Sequence, residues 1–125
     1  MILDSNLIIL AATPAYPGLR RLIGGLNPVV SAISLIEVLG YHKLAPNLKV
    51  DFEQFFQGAR IEPITDAIVA GAISLRQVRK MSLGDAIIAA TALEFGHELY
   101  THNPKDFSAI AGLVAIDPLA SGDPP

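Results

Sequence analysis

Short apolar runs alternate along this chain with longer segments in which apolar residues recur at helical spacing. That rhythm constrains the fold more than any other feature, because it is the pattern of an α/β domain with a mainly parallel sheet. It predicts strands at Met1–Asp4, Pro28–Ser31, Ile61–Ile64, Glu98–Thr101 and Leu113–Ile116. Helices are expected near Ser5–Ala12, Tyr16–Gly24, Leu35–Lys43, Leu48–Gly58, Asp66–Lys80, Leu83–Phe95 and Pro104–Ser108. No repeat or linker divides the chain. One domain over 1–120 is expected, followed by a loose tail at 121–125, where the composition turns to Ser, Gly, Asp and Pro.

Several helix ends have local causes. Ser34 with Glu37, and Ser82 with Asp85, have the spacing of capping boxes. Asn103 precedes Pro104 as a cap precedes the first helical residue. Gly96 follows DAIIAATALEF as a terminator. The helix before it is apolar nearly all round, with Thr91 and Glu94 its clear polar residues, so burial on all sides is expected.

Four acidic residues stand at the ends or starts of apolar segments. Asp4 closes MIL, Glu37 lies inside SLIEVLG, Asp85 opens DAIIAATAL and Asp106 follows THNPK. A carboxylate among core-forming residues is costly unless it is paired, hydrogen-bonded or bound to metal. Four such cases imply that the fold gathers them, and gathered carboxylates bind hard divalent cations, most often for phosphoryl chemistry. Each also fits a local role. Asp4 suits a ligand site at a strand's carboxyl end and, equally, an N-cap for the helix at Ser5. Glu37 fits the capping box with Ser34. Asp85 gains from first-turn amides and the helix dipole, but it shares a stripe with Ile88, Ala89 and Ala92, which face the core. Asp106, with Asn103, fits an ordinary capped turn. The case for a site rests on convergence.

Arg76, Arg79 and Lys80 fall at i, i+3 and i+4 just before Asp85, which predicts one basic helical face. They fit a helix C-terminus or a phosphate-backbone contact, with Arg20, Arg21, His42 and Lys43 as extensions. His42, His97 and His102 lack zinc spacing. His102, beside Asn103, is a candidate substrate contact, as is Ser5, and His97 is expected in an exposed turn.

Composition narrows the setting. Without cysteine there is neither a disulfide framework nor a thiolate metal site. No apolar run reaches the ~18 residues of a membrane span, and the N-terminal stretch lacks a basic lead, so a cytoplasmic protein is expected. The net charge of −3 argues against nonspecific nucleic-acid binding by the whole surface. With 51% apolar residues, an interface with a second copy or a partner is expected.

MILDSN, SAISLIEVLGY and SLGDAIIAATALEFGHELYTHNPKDF, in that order, resemble the PIN-domain family, and most closely the VapC-type toxins of bacterial toxin–antitoxin pairs. The resemblance covers essentially the whole chain. It implies a three-layer α/β/α sandwich and an Mg²⁺- or Mn²⁺-dependent endoribonuclease of structured RNA such as tRNA or ribosomal RNA. It also implies a homodimer and a small cognate antitoxin. The family's metal-holding aspartate, helix glutamate and DAxIAA aspartate match Asp4, Glu37 and Asp85. The chain departs where many relatives carry a further aspartate: here stand Asn103 and, three residues on, Asp106. A PIN nuclease acting on messenger RNA or RNA-processing intermediates without an antitoxin, and a catalytically silent partner-binding module, share these features. A receiver-like phosphoacceptor fits poorly, because Asp4 is followed by Ser5 and Asn6 rather than by a second acid.

Overall fold

A computed structural model describes residues 1–125. Five short strands, β1 (Ile2–Leu3), β2 (Val29–Ser31), β3 (Arg60–Glu62), β4 (Leu99–Tyr100) and β5 (Ala115–Ile116), form one sheet in the order β3-β2-β1-β4-β5. Every pairing is parallel, with Ile2 opposite Val29 on one side and Leu99 on the other. The chain runs outward from β1 through β2 to β3, then crosses back to place β4 against β1's other edge. The direction of winding therefore reverses between β1 and β4, and such a reversal opens a crevice at the carboxyl ends of the two strands.

Six helices flank the sheet: α1 (Ser5–Ala11), α2 (Pro17–Gly25), α3 (Ala32–Leu39), α4 (Pro46–Gly58), α5 (Asp66–Val78) and α6 (Leu83–Phe95). Strand alternation divides the core between two faces. Leu3 and Val30 join Leu7, Leu19, Val38, Phe52 and Phe56 of α1–α4. Ile2, Val29 and Leu99 point the other way, onto Ile88, Ala89 and Ala92 of α6 and onto Phe107. Fully burying each Leu, Ile or Phe contributes about 1.5–3 kcal/mol. The result is the expected three-layer α/β/α architecture with a wholly parallel sheet.

Helix α6 follows its sequence closely. The Ser82 hydroxyl accepts the Asp85 amide at 3.1 Å, and Gly96 ends the helix at φ 67°, a left-handed conformation suited to glycine. From Gly84 to Ala92 it is buried apart from Asp85, between the sheet and α5. Gly71 of α5 approaches it so closely that an added β-carbon would lie 3.3 Å from that of Ala90. No helix is long and apolar enough to cross a membrane.

Some local expectations are corrected. α3 begins at Ala32, capped by Ser31, whose hydroxyl accepts the Ile33 amide at 3.2 Å. The capping box of Ser34 with Glu37 therefore does not form, and Ser34 is a buried mid-helix residue. α5 ends at Val78, leaving Arg79 extended, so Arg76, Arg79 and Lys80 do not share a helical face. His97 is half-buried rather than exposed. The tail is not loose: Asp123 accepts the Gly18 and Leu19 amides at 2.7 and 2.8 Å, capping α2. Just before the tail, Leu119 joins the core.

Candidate active site

The crevice at the β1/β4 reversal collects the acidic residues. Asp4 follows β1 directly and is buried. It occupies the N-cap position of α1 but makes no side-chain capping bond there. Its Oδ2 instead accepts a 2.8 Å hydrogen bond from the hydroxyl of Thr101, the fully buried residue that follows β4. The Asn103 amide donates in turn to Thr101 Oγ1 at 3.1 Å. The two strands at the reversal are thus tied together through the carboxylate.

Glu37 arrives from α3, exposed, with Oε1 accepting a 2.9 Å bond from Ser5 Oγ. The Ser5 and Ser34 hydroxyls, both buried, are also 2.9 Å apart, so a line of hydroxyls runs from inside α3 to the Glu37 carboxylate. Asp85 lies in the first turn of α6, half-buried. Asp106 stands exposed in a single 3₁₀ turn, Pro104–Phe107. Asn103 precedes that turn without a side-chain capping bond, contrary to expectation.

Electrostatics link the four acids. Burial raises the Asp4 carboxyl above its ordinary value, the Thr101 hydroxyl pulls it back, and the Glu37 and Asp106 charges push it up again. Burial also raises Asp85, with further upward pressure from Asp4 and Asp106 and an opposing hydrogen bond from Ser82. Neither of the chain's two ion pairs, Arg60 with Glu62 and His102 with Asp117, involves these residues. The fold therefore concentrates negative charge here, and none of the four acids is paired with a lysine or arginine. Carboxylate and hydroxyl oxygens suit a hard divalent cation. No three His, Asp or Glu residues stand close enough to form a ready-made cation shell.

A PIN-domain model matches residues 1–113. The chain belongs to the PIN-domain family. This PIN domain resembles a chain of a toxin–antitoxin complex from Klebsiella pneumoniae, with TM-score 0.76 and 29% identity, covering 94% of this chain and 96% of that one. It resembles DNA-bound VapBC from Salmonella typhimurium at TM-score 0.80 and 21% identity, over 93% and 96% of the two chains. VapBC2 from Rickettsia felis, bound to a promoter DNA fragment, aligns at TM-score 0.78 and 19% identity, over 92% and 96%. No curated protein sequence gives a significant match.

The basic candidates of the PIN domain are dispersed. Arg76 Nε donates to the Met81 carbonyl at 3.3 Å, which ties it to the turn before α6. Arg79 is half-buried, with one guanidinium nitrogen unpartnered, and Lys80 is exposed. His102 turns Nδ1 toward both Asp117 oxygens at 3.2 Å. Thr101, Ser34 and Gly84 escape a reading of the sequence, since their partners lie in other elements. The available hint for Thr101 is its place after a buried strand, on the same strand ends as Asp4.

Proposed function

We propose that this PIN domain is a metal-dependent endoribonuclease, acting on structured RNA as the toxin of a type II toxin–antitoxin pair. The observation that carries the reading is a buried, uncompensated Asp4 at the strand reversal, crowded by the charges of Glu37, Asp85 and Asp106. Like charges held together without a counter-ion fit a cation as the missing partner.

Asp4, Glu37 and Asp85 would hold Mg²⁺ or Mn²⁺, with Asp106 and the Asn103 carbonyl group as further oxygen donors. When bound, the ion lowers the pKa of a coordinated water and offsets charge on the phosphate being cleaved. Thr101 fixes Asp4 through its hydroxyl, and Ser5 with Ser34 steadies Glu37. His102 lies exposed on the strand-end side as a candidate substrate contact, whereas Ser5, buried and with its hydroxyl on Glu37 and Ser34, supports the carboxylate instead of meeting substrate. Arg76, Arg79 and Lys80 would hold RNA phosphates rather than take part in the chemistry. Similarity to proteins solved as toxin–antitoxin complexes supports a small cognate antitoxin as partner. Exposed Val69, Ile73 and Leu83, together on the α5–α6 face, support a homodimer.

The test is incubation of the purified protein with total cellular RNA, with and without Mg²⁺ or Mn²⁺, followed by mapping of new 5′ ends. A small set of metal-dependent ends, absent with Asp85→Asn, is expected. Identical ends from the wild-type and variant proteins would overturn the reading.

A further inference from the structure

Gly84, the second residue of α6, is buried against the Glu37 carboxylate of α3. A β-carbon at Gly84 would stand 2.5 Å from Glu37 Oε2 and 2.8 Å from its Cδ and Oε1, whereas ordinary contact begins near 3.4 Å. The whole carboxylate fills the place a side chain would take. Backbone conformation does not call for glycine here, since Gly84 is not among the glycines with positive φ. Alanine is the better helix former, so the glycine's use is the space it leaves.

We infer that Gly84 is a positioning residue, whose missing β-carbon sets where α3 presents the Glu37 oxygens to the acidic crevice. The inference rests on the cation-binding reading above. Ser5 Oγ holds Glu37 Oε1 at 2.9 Å, and Gly84 bounds the same carboxylate at the first turn of α6. The neighbouring residue, Asp85, is the next acid of the crevice. One turn of α6 thus supplies one carboxylate and seats another.

The three atoms nearest an alanine β-carbon at this position all belong to the far end of a flexible, exposed side chain, which can swing away. Gly84→Ala should therefore keep or raise the metal-free melting temperature, by up to about 5 °C. It should weaken binding of Mn²⁺, titrated calorimetrically as MnCl₂ without RNA, by about tenfold or more, as displaced ligand supports do. Glu37→Ala should weaken binding at least as much, and the double variant no further, because both changes act through one carboxylate. Unchanged Mn²⁺ affinity in Gly84→Ala overturns the inference and leaves the cation reading standing. Additive losses in the double variant, or a clear fall in melting temperature for Gly84→Ala, also overturn it, since the glycine then serves packing. A wild-type protein that binds no Mn²⁺ overturns the cation reading, and the inference falls with it.

Discussion

Thr101→Val isolates the hydrogen bond that joins the two central strands through Asp4. Valine has the same shape, so no cavity opens at this fully buried position and the loss is polar. A hydrogen bond to an ionised acceptor contributes about 1.5–3 kcal/mol, and the Asn103 amide, left without its acceptor, adds about 1 kcal/mol. The expected loss near pH 7 is roughly 2–4 kcal/mol, or on the order of 10 °C in Tm. Its pH dependence follows from Asp4. Burial raises this carboxyl above its ordinary value of 3.8, and once protonated it accepts from Thr101 as a neutral group. The bond is then worth about 0.5–1.5 kcal/mol, so the penalty should shrink as pH falls through the Asp4 titration. Asp4→Asn should shrink it in the same way at pH 7. Urea denaturation of the wild type, both single variants and the double variant, in chelator, gives the coupling directly. About 1–1.5 kcal/mol is expected. An equal Thr101→Val penalty in the Asp4 and Asp4→Asn backgrounds would refute the reasoning and leave Thr101 a packing residue.

Asp4→Asn and Asp85→Asn should each abolish metal-dependent RNA cleavage while the metal-free Tm at pH 7 stays level or rises. Both carboxyls are raised above their unfolded value, chiefly by burial. Each therefore contributes stability that is full below about pH 3.8 and is lost as pH rises through its folded pKa; the variants' advantage should disappear in acid, and a fall in Tm at pH 7 for both would mark them as structural. Asp123→Ala removes both side-chain bonds capping α2 and should cost about 0.5–2 kcal/mol, read as lowered Tm and faster amide exchange at Gly18 and Leu19. Replacing Arg76, Arg79 and Lys80 with alanine in the Asp85→Asn background should weaken RNA binding and flatten its salt dependence, whereas an unchanged slope of log affinity against log salt would assign these residues to the α5–α6 turn. Light scattering should show a dimer at micromolar concentration, and a monomer would remove the α5–α6 face as a self-interface.

The elements legible in the sequence are those whose causes are local. Ser82, Gly96 and an apolar surface all round mark α6, and the structure buries that helix between sheet and α5 because nothing on its central turns can face water. Parallel strands followed from the rhythm of short runs and helices, and three of the four acids stood out by their apolar neighbours. Local pattern misled where a distant partner decided. Ser34 carries a capping signal, but Ser31 is the residue at which β2 turns into α3, and the Ser34 hydroxyl is committed to Ser5 from α1. The tail's loose composition gave no sign that Asp123 would cap a helix more than a hundred residues earlier in the chain. The basic stripe failed because α5 unwinds after Val78 to enter the turn toward α6. Sequence alone could name Asp4, Glu37 and Asp85. Only the tertiary structure could tie Asp4 to Thr101, because strand order places β4 beside β1 and so closes 97 residues of chain. The same packing sets Gly84 of α6 against Glu37 of α3, a contact between a residue without a side chain and one that fills its place.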